Sequence, residues 1–177
     1  MPPGWLVVVD LQHVFVDATS PWGAPRCGEV QPRIRRLVAA FGERVVFTRF
    51  VAPARPTGAW AAYYERFPWA LQPPDAPLYD LVDDPAGAPV VTATTFGKWG
   101  PELAGTVGDG PVTVAGVATD CCVVSTVLPA ADAGVPVRVV TDACAGSTDD
   151  EHERALHLMD LYAPLVELTT TADLLGG

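Results

Sequence analysis

Short runs that are almost wholly apolar and rich in valine recur along this chain, and each is followed by a helical or turn-rich stretch. Examples are Leu6-Val7-Val8-Val9, Val45-Val46-Phe47, Val112-Thr113-Val114-Ala115 and Val137-Arg138-Val139-Val140. A strand with one wet face alternates apolar and polar residues, whereas a strand buried on both faces does not need to. Such runs therefore suit a parallel sheet covered on both sides by helices. Strands are predicted at Trp5–Asp10, Arg44–Thr48, Pro89–Thr92, Pro111–Ala115, Pro136–Thr141 and Leu165–Leu168. Helices are predicted at Val30–Phe41, Pro101–Val107, Cys122–Ala133 and Asp149–Leu161, with Pro129 kinking the third. The β-α alternation predicts an α/β fold: a doubly wound, mostly parallel six-stranded sheet with helices on both faces.

No repeat, low-complexity tract or composition shift divides the 177 residues, so a single domain over 1–177 is expected. One connection stands out. Phe50 to Asp84 reads as irregular, and it carries Pro53, Pro56, Pro68, Pro73, Pro74 and Pro77 together with Trp60, Tyr63, Tyr64, Phe67 and Trp69. A connection this long is uncommon unless it covers a site. The composition is that of a globular chain, with 49% hydrophobic and 18% charged residues. A net charge of −10 argues against nucleic acid and anionic membranes as partners, since both attract basic surfaces. No stretch approaches the ~20 apolar residues of a membrane span, and the Met1-Pro2-Pro3-Gly4-Trp5 start lacks a signal-peptide pattern. Of the four cysteines, Cys121 and Cys122 are adjacent, and no zinc-ligand spacing occurs among them. Reduced thiols and a cytoplasmic location are expected.

Chemistry concentrates where predicted strands end, because ligands of open α/β sheets bind beyond the carboxyl ends. Asp10 closes the first strand, Thr92 to Lys98 follow the third, and Asp120 to Cys122 follow the fourth. A cysteine at a strand-to-helix junction meets the orphan N–H groups and dipole of a helix N-terminus, which favour a thiolate. A carboxylate beside it can carry the thiol proton to a leaving amine, and a lysine can stabilise the developing charge. Plainer roles exist for each residue: buried filling for either cysteine, capping for Asp10, Thr119 or Asp120, and solvent exposure for Lys98.

Three segments resemble the isochorismatase-like cysteine hydrolases, a superfamily that includes nicotinamidases, N-carbamoylsarcosine amidases and isochorismatases. Asp10-Leu11-Gln12-His13-Val14-Phe15 is similar to the family's D-x-Q-x-x-F. Gly116-Val117-Ala118-Thr119-Asp120-Cys121-Cys122-Val123 is similar to G-V-x-T-[DE]-x-C-V, and Val140-Thr141-Asp142-Ala143-Cys144-Ala145 to V-x-D-A-x-A. The resemblance implies Cys122 rather than Cys121 as nucleophile and Asp10 as catalytic aspartate. It also implies a cis peptide at Val117–Ala118, and an oxyanion hole made of the Ala118 and Cys122 N–H groups. The family lysine falls on Ala93, so Lys98, five residues later, is the expected replacement, its long stem supplying the reach.

The same resemblance bears on metal and substrate. Nicotinamidases hold a metal through an Asp-x-His pair and a second His, and no histidine follows the second predicted strand here. His152 and His157 stand at i, i+5 on a helix, poor ligand spacing. No metal and no other cofactor are expected. Isochorismatases proper typically lack the cysteine, so Cys122 points to C–N hydrolysis of a small molecule through an acyl-enzyme. Phe15, Arg49, Trp60, Tyr64 and Trp99 are candidate substrate contacts, Arg49 for a substrate carboxylate and the rings for a flat substrate. Two alternatives stay open: a ligand-binding member without turnover, and an ether hydrolase using Asp10 alone. Family resemblance implies a homodimer or homotetramer.

Overall fold

A computed structural model of the chain describes residues 4–176. The start of the chain read above for a leader, Met1–Pro3, lies outside the described residues. Six strands form one sheet: β1 (Trp5–Val9), β2 (Val45–Phe50), β3 (Val90–Ala93), β4 (Val112–Val117), β5 (Val137–Ala145) and β6 (Val166–Thr169). Their order is β3-β2-β1-β4-β5-β6, and every neighbouring pair is parallel. Among the described residues six α-helices lie between them, α1 (His13–Val16), α2 (Cys27–Phe41), α3 (Ala59–Arg66), α4 (Pro101–Val107), α5 (Val124–Asp132) and α6 (Asp149–Asp160), and α7 (Thr171–Leu175) follows the last strand.

The valine runs behave as two-faced strands. Leu6 and Val8 point into a core shared with α2, while Val7 and Val9 point into a second core under α4, α5 and α6. All four are at most 1% exposed. Each buried valine or leucine contributes roughly 1.5–3 kcal/mol of transfer free energy before entropy is counted, so the central strands anchor both layers. The edge strands β3 and β6 are the shortest, four residues each, and only partly covered.

Three differences from the sequence reading have physical causes. The stretch from Phe50 to Asp84 is not wholly irregular, because α3 and two short 3-10 turns lie within it. Its aromatics Trp60, Tyr63, Tyr64 and Phe67 stand at helical spacing, a periodicity masked by the surrounding prolines. Strand β5 runs on to Ala145 because small residues let it continue beside β4, with Gly116 opposite Cys144 and Val117 opposite Ala145 after a register shift. Gly116 is required there: its φ is +128°, and a Cβ would lie 2.1 Å from the carbonyl oxygen of Val9. Finally, the segment after β4 begins not as an α-helix but as a π-helical turn, Thr119–Val123, before α5 starts at Val124.

Candidate active site

Chain direction across the sheet reverses between β1 and β4, which are neighbours. A crevice opens beyond the carboxyl ends of strands at such a switch point. Asp10 stands there, immediately after β1, fully buried and with a φ of +47°. Asp tolerates this left-handed region better than most residues. Its geometry is fixed from β2: the Thr48 hydroxyl donates to Asp10 Oδ1 at 2.6 Å and accepts from the Asp10 backbone N–H at 3.2 Å. Gln12 braces the same junction. Its amide donates to the carbonyls of Phe50 and Tyr79 and accepts from the Phe50 N–H, tying β1 to the connection that follows β2.

Lys98 reaches this carboxylate from the far edge. Its Nζ lies 2.7 Å from Asp10 Oδ2, and both side chains have 0% exposure. The ammonium also donates to the carbonyls of Thr95 and Phe96 and sits 5.6 Å from the Phe50 ring centroid. Apart from that ammonium, Oδ2 has no partner among the described residues, so the oxygen keeps a lone pair open to a proton. Strand β3 is separated from β1 by β2, a distance of about 10 Å at normal strand spacing. A lysine at Ala93, within β3, starts at the strand; Lys98 starts from a loop that has already turned back across the sheet end. The loop rests on α5. A Cβ on Gly97 would lie 2.4 Å from the Ser125 carbonyl oxygen. The Lys98 N–H donates to the Thr126 hydroxyl at 2.9 Å, which itself donates to the Cys122 carbonyl at 2.7 Å. Lysine and cysteine are thus joined through one threonine.

The Val117–Ala118 peptide is cis, and Ala118 leads into the π-helical turn carrying both thiols. Neither Thr119 nor Asp120 caps a helix. Instead the Asp120 carboxylate accepts from the Ser147 N–H and hydroxyl at 2.8 and 2.6 Å, and Thr119 Oγ1 lies 2.8 Å from His152 Nδ1. The loop after β5 can approach this closely because residue 146 is glycine: a Cβ there would lie 2.9 Å from both Asp120 Oδ1 and His152. Burial holds the His152 imidazole below its usual range. Cys122 is 2% exposed and Cys121 is half-buried. Their thiols titrate as a pair. The hydrogen bond with Cys121, burial and the Asp10 carboxylate hold Cys122 in its protonated form, and Lys98 opposes them.

A cavity of about 270 Å³ opens over this turn. Ala118, Asp120, Cys121, Cys122 and Ser147 form its floor, and Phe15, Trp22, Phe50, Tyr63 and Phe96 form its walls. Of the candidate substrate contacts, only Phe15 lines it. Arg49 is turned to the opposite side, where its Nη2 donates to the Pro74 carbonyl and the residue borders a separate hollow with Asp80 and Asp83. Trp60 and Tyr64 stand on the same stripe of α3 as Tyr63 but behind it, packing on it and on each other, and Trp60 meets the cavity-wall ring of Phe96 at 5.1 Å from outside the lining. Trp99 packs into the core under α4 and α5.

The family model for the isochorismatase domain matches residues 4–173. The chain belongs to the isochorismatase family. Solved structures of the same fold include an isochorismatase family protein from Desulfovibrio vulgaris, 20% identical, with a TM-score of 0.81 and all of both chains covered. A cysteine hydrolase from Pseudomonas syringae is 19% identical with a TM-score of 0.81, covering 96% of this chain and 89% of that one. A pyrazinamidase of Pyrococcus horikoshii, solved in complex with zinc, is 22% identical with a TM-score of 0.74, covering 93% and 97%. No curated protein matches the sequence.

The segment after β2 offers this isochorismatase-family hydrolase no metal ligand. After β2 the chain reads Val51-Ala52-Pro53, without imidazole or carboxylate. No cluster of three ligating side chains occurs among the described residues. Several site residues of the hydrolase escaped the sequence reading. Thr48 and Thr126 look like ordinary strand and helix positions, and Trp22, Phe50 and Phe96 like ordinary aromatics. One signal was available: Lys98 is the sole lysine in a chain with ten arginines. A compact ammonium was therefore used at one place alone.

Proposed function

We propose that this hydrolase is a metal-independent cysteine amidohydrolase that cleaves a C–N bond of a small amide or ureido compound through a thioester acyl-enzyme. The observation that carries the reading is the fully buried Asp10–Lys98 pair behind the cysteine turn, with Asp10 Oδ2 free of other hydrogen bonds. Burying both charges is costly unless they serve each other or a reaction.

In this reading Asp10 Oδ2 takes the Cys122 thiol proton as sulfur attacks the carbonyl carbon. The Ala118 and Cys122 N–H groups receive the oxyanion. The C–N bond breaks as Asp10 returns the proton to the departing nitrogen. Asp10 then draws a proton from water, hydroxide adds to the thioester, the C–S bond breaks, and the acid leaves as the thiol is reprotonated. Lys98 is the counter-ion of Asp10 and offsets the charge of the thiolate. A ligand-binding protein without turnover would gain nothing from aiming its single lysine at Asp10, so the pairing favours hydrolysis.

The test is a panel of small amides with wild type, Cys122→Ala and Cys121→Ala, each reaction quenched for intact-protein mass spectrometry. An acyl adduct on Cys122, loss of turnover by at least about 10³-fold in Cys122→Ala and retained turnover in Cys121→Ala are expected. Adduct on Cys121, or undiminished turnover in Cys122→Ala, overturns the assignment and favours an ether hydrolase using Asp10 alone.

A further inference from the structure

The cavity wall carries its own selectivity. Phe15 and Trp22 stack nearly parallel, 12° apart with centroids at 6.2 Å, and Phe50 and Phe96 do so at 26° and 6.5 Å. Tyr63 closes the gap between the pairs, 5.8 Å from Trp22 and 5.7 Å from Phe96. Burial, with the two thiols beneath, pushes the Tyr63 phenol up to about 12, so it stays neutral. At about 270 Å³ the space lies just under the usual ~300–1,000 Å³ of ligand pockets. It holds one ring and the reacting group.

The charges are equally specific. Among the described residues the one carboxylate in the lining is Asp120, held by two hydrogen bonds from Ser147. No cationic side chain lines the cavity among the described residues. Three cations of the neighbouring elements point to partners outside it. Lys98 spends its ammonium on Asp10 and two carbonyls. Arg49 is bonded to Pro74 across the sheet edge, and Arg66 lies over the Phe67 ring at 5.3 Å. A substrate carboxylate entering this space would lose its water, meet no counter-charge and face Asp120.

We propose that the site takes ring-bearing amides that are neutral or cationic and rejects those carrying a carboxylate. The aromatic wall provides the affinity, and Asp120, without any opposing cation, provides the discrimination. This rests on the amidohydrolase reading for the reaction but not for the binding, and the two separate experimentally.

Three amides with one shape and different charge make the test: 4-methylbenzamide, 4-(aminomethyl)benzamide and 4-carbamoylbenzoate. With wild type, kcat/KM for the neutral and cationic compounds is expected to exceed that for the anionic one by about 100-fold or more. Binding of the same three compounds to Cys122→Ala is measured in parallel by calorimetry. If no compound is hydrolysed but the neutral and cationic ones bind and the anionic one does not, the reaction assignment fails and the selectivity stands. Equal or better turnover or binding of 4-carbamoylbenzoate overturns the proposal, as does failure of all three to bind.

Discussion

At the scale of single residues, the site depends on two charges that support each other. Removing one leaves the other buried without a counter-ion, a loss typically costing 3–5 kcal/mol. Lys98→Met should therefore lower both stability and activity, the latter by about 10²–10⁴-fold. Asp10→Asn should do the same, because the lysine is then unpaired. The double variant should regain much of the stability and none of the activity, which urea unfolding and amide turnover measured side by side will separate. Recovery of activity in the double variant would remove Asp10 from the chemistry. Asp10 and Cys122 stood out in the sequence as candidates because strand ends and a strand-to-helix junction mark them. Lys98 stood out less, because what places it beside Asp10 is a loop path that sequence spacing does not encode. Arg49, Trp60, Tyr64 and Trp99 were misplaced for a related reason. An aromatic or a cation near a strand end has two or more sides to turn to, and packing decides among them.

At the scale of elements, Lys98 belongs less to β3 than to α5. Its backbone N–H is held by Thr126, whose hydroxyl reaches back one turn to the Cys122 carbonyl. Thr126→Val keeps the shape, deletes both bonds and leaves the Lys98 N–H without its buried acceptor, a loss of about 1–3 kcal/mol. Turnover should fall by about 10-fold or more, mainly through kcat, and Thr126→Ser should restore it. A variant that unfolds more easily yet keeps the wild-type kcat would show that the bond serves stability alone. The sheet itself was readable apart from the extension of β5 to Ala145, since valine runs buried on both faces admit few other arrangements. The π-helical turn was not, because Thr119–Val123 has the composition of an ordinary helix start and its shape comes from the loop carrying Gly146 and Ser147 pressing on it.

For the whole molecule, buried thiols set an alkaline limit. Burial pushes Cys27 up to about 11 and Cys144 up to about 12, whereas in the unfolded chain both ionise near about 8.5. Between those values the unfolded state has lost protons that the folded state keeps, so stability falls as pH rises. The fall begins above about pH 8.5 and approaches 1.4 kcal/mol per pH unit for each thiol. Calorimetric melting between pH 7 and 10.5 should show a plateau and then a decline, shallower in Cys27→Ala; a flat profile would mean that the thiols are not sealed from water. A different vulnerability follows from the route Lys98 takes. The candidate site borrows its lysine from a loop that leaves β3, a four-residue strand paired on one side only. Sheet edges open locally at lower cost than the centre. Opening this edge withdraws the ammonium while the rest of the sheet stays folded, so the enzyme carries a fuse at its margin. In a urea titration, inactivation should precede loss of the far-ultraviolet signal, and amide exchange should be faster at Val90–Lys98 than in β1 or β4.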